Sequence, residues 1–296
     1  MFRMLCLSQF LWFMLMLGNL LAQLPSTNIY LLDLQSNEQK VLLKNPKYLT
    51  AFHPEGYNNQ PAFLNNDQLL ISSNYESSSL TDILKLNLSE HTITRLTRTE
   101  AGEYSPTPVP GQDKYSIIKQ STAEDGTTPQ VLWSYPLDSS DSGEQVIPEI
   151  DNIGYHSWIN KDKVVLFLVG EPSELVLYDL RSNTVTNIAY NVGRCLKVDR
   201  KGNLLYTQNI ADQAIIRSYD IYLGRSRKVA DALPGQPDFD VLPNGHLISG
   251  QGSQLMTYNP LSDAVWQPNI DLKDLDIRQI SRISSSFDKL AIVTSE

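Results

Sequence analysis

The chain has 296 residues, 41% of them hydrophobic, which is enough for one large domain or two small ones. Its 24 basic against 33 acidic residues give a net charge of −9. An acidic surface with no run of Lys or Arg repels phosphate backbones, so nucleic acid is excluded as a partner.

The first 22 residues stand apart. Arg3 is their only charge, and Phe10 to Ala22 is a nearly unbroken apolar stretch closing on Leu-Leu-Ala. A positive start, a short apolar middle and a small final residue predict a cleavable export signal over 1–22, cut after Ala22. A single domain over 23–296 remains. A spanning helix needs about 20 apolar residues, and Ser8, Gln9, Gly18 and Asn19 interrupt this segment. An export signal therefore fits better than an anchor, and a periplasmic or secreted location is expected. Cleavage removes Arg3, taking the net charge from −9 to −10, and it removes Cys6. Cys195 is then alone, no internal disulfide is possible, and a large core must carry the stability. With Leu196 and Val198 beside it, Cys195 reads as a small apolar strand residue rather than a nucleophile.

From Gln23 onward no long helix is predicted. Short apolar or alternating runs recur instead, bounded by Asn, Asp, Gly and Pro. Ile29-Tyr-Leu-Leu-Asp-Leu and Lys40-Val-Leu read as the third and fourth strands of a unit whose first half does not precede them. The first complete unit follows, with Pro61-Ala-Phe-Leu, the turn Asn65-Asn-Asp, Leu69-Leu-Ile, Ile83-Leu-Lys-Leu-Asn-Leu and Ile93-Thr-Arg-Leu. The second runs through Pro106-Thr-Pro-Val, Tyr115-Ser-Ile-Ile, Val131-Leu-Trp and Gln145-Val-Ile. The third has Ser157-Trp-Ile, Val164-Val-Leu-Phe-Leu, Leu175-Val-Leu-Tyr-Asp-Leu and Val185-Thr-Asn-Ile. The fourth has Cys195-Leu-Lys-Val, Leu204-Leu-Tyr, Ile215-Ile-Arg-Ser-Tyr-Asp-Ile and Ser226-Arg-Lys-Val. The fifth has Pro237-Asp-Phe-Asp-Val, His246-Leu-Ile, Leu255-Met-Thr-Tyr-Asn-Pro-Leu and Ala264-Val-Trp. Ser281-Arg-Ile-Ser and Leu290-Ala-Ile-Val then supply a first and second strand with nothing after Glu296.

Within each unit the second strand is the most apolar, as expected for a strand covered on both faces. The fourth is more polar, which protects an outer edge. Phe63 and Ile283 hold equivalent places five repeats apart, and the 220 residues between them give 44 per unit. That is a propeller period. The terminal half-units complete one another, whereas a linear solenoid would need capping repeats. The expected fold is an all-β, six-bladed β-propeller with four-stranded blades, its ring closed by N-terminal strands pairing with C-terminal ones.

The units resemble the WD-like repeats of TolB-type propellers, most closely through Arg95-Leu-Thr, Glu103-Tyr-Ser-Pro and Gly111-Gln-Asp-Lys-Tyr-Ser-Ile-Ile. Asn65-Asn66-Asp67 and Asn160-Lys161-Asp162 depart from the Pro-Asp-Gly turn of that family. The likeness does not extend to the α/β domain that precedes the TolB propeller. Tyr104-Ser-Pro-Thr-Pro, Gln130-Val-Leu-Trp, Gly154-Tyr-His-Ser-Trp, Gly193-Arg and Arg282 are similar to a group of exported bacterial propellers of this type. The resemblance implies fold and export, and no activity.

In such a ring the leading residues of each first strand line one mouth of the central channel. Those positions hold Gln60, Tyr104, Ser105, Tyr155, His156, Arg194, Gln236, Asp238, Gln279 and Arg282. A concave ring of donors and acceptors is a ligand site by default. His156 beside Arg194 would stay neutral, and Arg194 could clamp a carboxylate. Gly-x-Ser-x-Gly and His-Glu-x-x-His are absent, and Asp238 alone supplies too few oxygens for a hard cation. Trp133, Trp158 and Trp266 read as packing residues rather than a sugar platform. No catalytic residue, metal or cofactor is therefore assigned. Long loops at Ala123–Pro129 and Ser139–Glu144 would give the blades a variable rim. The expectation is a monomeric, non-enzymatic binding protein of the bacterial cell envelope that takes a protein or small ligand at the channel mouth or on its blade loops. The alternative is a lyase or hydrolase acting on an acidic sugar or peptide at the axis.

Overall fold

The computed structural model describes residues 24–77, 80–138, 143–236 and 238–295. The predicted export signal at 1–22, Pro237 and part of the predicted rim loop (139–142) lie outside the described residues. Apart from one 3₁₀ turn at Lys273–Leu275, the regular structure consists of six four-stranded antiparallel sheets. Numbered by their innermost strands, the blades begin with Asn58–Phe63, Gly102–Pro108, Ile153–Asn160, Val192–Val198, Phe239–Val241 and Gln279–Ser285.

The sixth blade is the composite one. Its two inner strands, Gln279–Ser285 and Lys289–Ser295, come from the C-terminal end, and its two outer strands, Thr27–Ser36 and Val41–Tyr48, come from the N-terminal end. Thr27 to Asp33 pairs antiparallel with Ser295 to Lys289 over seven successive residues, and the Lys289 ammonium meets Asp33 at 2.7 Å. Closure by backbone pairing leaves the ring without free ends, while each blade keeps only a short outer edge.

Six buried clusters hold the molecule together, and each lies between two neighbouring blades. The apolar second strands follow from this arrangement. Side chains alternate across a strand, so Leu69 and Ile71 enter the cluster shared with blade 6 while Leu70 enters the one shared with blade 2. Val165 and the pair Val164 and Leu166 divide in the same way between blades 4 and 2. A side chain of this kind contributes about 1.5–3 kcal/mol when fully buried, and here both faces of each second strand draw on it.

Hydrogen bonds between equivalent positions repeat the period. Ser105 N–H donates to Gln60 Oε1, Phe239 N–H to Cys195 Sγ, and Ser285 N–H to Asp240 Oδ2, at separations of 45, 44 and 45 residues.

The outer strands depart from expectation in the fifth blade. Ala264-Val-Trp is not a strand; the outer strand is Gln267–Asp271. The turn before it is closed by Asn259 and Asp263, whose side chains bind the backbone amides of Leu261 and Asn259. That turn takes up the residues that would have paired, and pairing resumes at Gln267 opposite Thr257. In the second blade the outer strand is only Glu144–Gln145.

Candidate functional site: a cationic neck in the axial passage

The inner strands of blades 1, 2, 3, 4 and 6 each carry a register break as they reach the axis. The breaks fall at Asn59/Ala62, Tyr104/Thr107, Ile153/Tyr155, Val192/Leu196 and Ile280/Arg282. A bulge re-aims the side chains next to it, and here it turns polar residues toward the passage. Gln60 and Ser105 occupy equivalent positions in blades 1 and 2 with φ of 54° and 55°. Left-handed backbone is costly for residues with a side chain, and the hydrogen bond between the two, at 2.8 Å, helps to hold it. In blade 4, Gly193 is required by close approach. A Cβ there would fall 2.1 Å from Thr207 Oγ1.

Two cavities meet along the axis. The outer one, about 270 Å³, is lined by Tyr57, Tyr104, Tyr155, Gln120 and Gln130 among others. The inner one, about 220 Å³, is lined by Ser105, His156, Arg194, Cys195, Lys197 and Asp238 among others. Gln60, Tyr155 and Arg282 line both and form the neck between them. Of the residues expected at the mouth, Gln60, Ser105, Tyr155, His156, Arg194, Asp238 and Arg282 line the inner cavity, and Tyr104 lines the outer one. Gln236 and Gln279 line neither. Gln236 sits in the turn after Leu233, and the Gln279 amide donates to the carbonyl of Ile280.

The charges are ordered along the axis. Arg194 holds Asp238 through two nitrogens, at 3.3 and 2.7 Å. Burial opposes the Arg194 charge, but Asp238 outweighs it and the guanidinium is held more firmly protonated than usual. Arg282 lies 4.0 Å from the same carboxylate, donates to Tyr155 Oη at 3.0 Å and stacks over that ring. Further along, Lys197 pairs with Asp240 at 3.4 Å and donates to the carbonyl of Ile283. Burial works against its ammonium, yet Asp240 raises its pKa overall. Asp240 is itself held by the amide and hydroxyl of Ser285. Tyr57 is buried beside this group, and desolvation keeps its phenol neutral.

Sequence reasoning missed Tyr57, Lys197 and Asp240. A signal existed for the last two. Asp240 is two residues from Asp238 and so shares its face of the strand, and Lys197 interrupts an otherwise apolar run.

His156 is neutral for a different reason from the one expected. Burial, not Arg194, pushes its pKa down to about 3. Its Nε2 lies 2.6 Å from Ser116 Oγ, which also accepts from Trp158 Nε1 at 2.8 Å. A Ser–His pair invites comparison with an activated nucleophile, but Ser116 is fully buried and already engaged. Cys195 is equally closed. Its thiol donates to the carbonyl of Phe239, and burial pushes its pKa up to about 12. Among the described residues no group of three or more His, Cys, Asp or Glu is placed to hold a metal ion. Trp158 is buried between blades 2 and 3, and Trp133 and Trp266 pack against neighbouring clusters.

The fold and site define a class: a six-bladed β-propeller with a cationic neck on its axis. No family model and no curated protein matches the chain. Solved structures do. A protein assigned as TolB from Agrobacterium tumefaciens superposes with a TM-score of 0.64 at 11% identity, over 92% of this chain and 99% of the other. TolB from Acinetobacter baumannii gives 0.59 at 11% identity over 90% of this chain, which spans 64% of that protein. An oligogalacturonate lyase in complex with manganese gives 0.51 at 11% identity, over 93% and 98%. At such identities the likeness is one of fold alone. Among the described residues no helix is long and apolar enough to cross a membrane.

Proposed function

We propose that the protein is an exported, non-enzymatic binding propeller of the bacterial cell envelope, which receives a protein segment or small ligand at the mouth of its axial passage. The observation that carries this reading is the neck. Gln60, Tyr155 and Arg282 join an outer cavity rimmed by tyrosines to an inner one rich in charge. Concave sites with a few convergent polar groups are where ligands are held. The sealed states of Ser116 and Cys195 favour binding over nucleophilic chemistry.

The test is capture from a periplasmic extract with the tagged mature chain, beside a Tyr155→Ala, Arg282→Ala variant. A partner enriched by the unaltered chain and lost from the variant is expected. The absence of any enriched protein, together with the absence of any bound small molecule in the eluate, would count against the reading. The lyase or hydrolase alternative predicts turnover that His156→Ala and Arg194→Ala abolish at an unchanged thermal midpoint.

A further inference from the structure

The neck holds an imbalance of charge that the protein's own groups do not remove. Among the described residues, Asp238 is the carboxylate shared by two guanidiniums. It lies 2.7 Å from Arg194 and 4.0 Å from Arg282. The deeper pair, Lys197 with Asp240, is balanced within itself, and the second oxygen of Asp240 is taken by Ser285. Arg282, whose side chain is only 17% exposed, therefore carries the excess. A partly desolvated cation without its own counter-charge is unfavourable, and arginine cannot relieve this by losing a proton. In a chain of net charge −9, a concentrated cation at this place is also a local reversal of sign.

Resting on the reading of the axial passage as a binding site, we propose that its ligand is a small organic acid with one carboxylate. The carboxylate is received by Arg282 at the neck, and the uncharged body lies among Tyr57, Tyr104 and Tyr155. The single charge follows from the count above, since one anion restores balance. Carboxylate geometry follows from the guanidinium, whose planar fork matches two oxygens. Of that fork, one nitrogen is committed to Tyr155 Oη. The neutral body follows from the outer cavity. Apart from Arg282, no residue of its lining carries a charge, and three tyrosines and three glutamines make up most of it. Phenol rings and amides suit a body with apolar faces and a few hydroxyls. A second anionic group on the ligand would have no partner there, and a cationic one would meet Arg282.

Calorimetric titration of the mature chain with benzoate and gluconate, against benzamide and gluconamide, tests this directly. At least one acid is expected to bind, and its amide to bind about 10- to 100-fold more weakly, the range set by a charge-assisted hydrogen-bond pair. Arg282→Gln is expected to bring the acid down to the level of the amide, and Arg282→Lys to fall between. Arg200→Gln, which lies outside both cavities, is expected to change nothing.

Three results overturn the proposal: acid and amide binding alike, full acid affinity in Arg282→Gln, or no binding of any acid up to about 10 mM, a range that already covers very weak sites. Equal binding of sulfate or inorganic phosphate would also overturn it, because the neck would then be a general anion site. The acid–amide comparison uses the unaltered chain, so it decides the matter even if Arg282→Gln does not fold. Failure here with a captured protein partner would leave the broader binding reading standing.

Discussion

Two regions of this propeller concentrate buried charge, and they resolve it in opposite ways. The seam between blades 1 and 2 buries two carboxylates, and among the described residues only one of them has a direct ion-pair partner. Asp82, with a side chain 2% exposed, is paired with Arg95, and Glu103 lies close by, one of its oxygens accepting from Thr99 and Tyr135. Burial pushes Glu103 up to about 7, with the Asp82 charge adding to the effect and Lys119 working against it. A carboxylate left over in a closed seam can keep a proton, and neutrality is restored from within. The axis has an excess of guanidinium, which has no neutral form to retreat to. The same imbalance therefore closes on itself in one place and calls for an external anion in the other.

The largest effect is expected from breaking the seam. Arg95→Met would strand the Asp82 carboxylate beside Glu103 and should cost about 3–5 kcal/mol, as removal of one partner from a buried pair does. Urea unfolding measures it, and Asp82→Asn in the same chain should restore much of the loss. A loss under 1 kcal/mol would mean that water reaches the pair after all.

Asp238→Asn makes the corresponding break on the axis. Arg194 is 36% exposed there, so solvent screening reduces the expected cost to about 1–2 kcal/mol. The variant should gain more thermal stability than the unaltered chain from an added carboxylate ligand. Equal gains would separate Asp238 from the ligand site.

The smallest effect is a change of pH dependence. Burial raises the Glu103 pKa in the folded protein from the ordinary 4.5 to about 7, so the folded protein binds more protons between those values. Its contribution is complete below pH 4.5 and is lost as the pH rises through 7. Glu103→Gln should raise the melting temperature at pH 8 and leave it nearly unchanged at pH 4.5. His156 runs the other way. Its folded pKa is near 3 against 6.5, so its contribution is present above pH 6.5 and lost as the pH falls toward 3. A Glu103→Gln curve with an unchanged alkaline slope would show that the seam is wet.

Much of the ring was legible in advance because its signals are local. Leu69-Leu-Ile and Leu290-Ala-Ile-Val announce strands covered on both faces, and Asn65-Asn-Asp and Pro243-Asn-Gly announce the turns between them. The outer strand of the fifth blade was misplaced because Ala264-Val-Trp has strand composition, while the pairing was decided by how many residues the Asn259–Asp263 turn consumed. Eight of the ten residues expected at the axis line the two cavities, because they occupy one position in a repeat, whereas Gln236 and Gln279 do not. The grouping of the eight was not legible. Tyr155 and Arg282 are 127 residues apart and meet at 3.0 Å, and bulges at the axis break the alternation from which a side chain's direction is read.

The sequence by itself determined the period, the number of blades and the complementary halves at the two ends, since each depends on patterns within a few residues and on their recurrence. Only the tertiary structure decided that one aspartate would serve two arginines, that His156 would be buried rather than poised, and that Gln60, Tyr155 and Arg282 would form a neck. Those outcomes depend on distances between blades. Such distances follow from ring closure and from local bulges, and neither leaves a mark on any single segment of the chain.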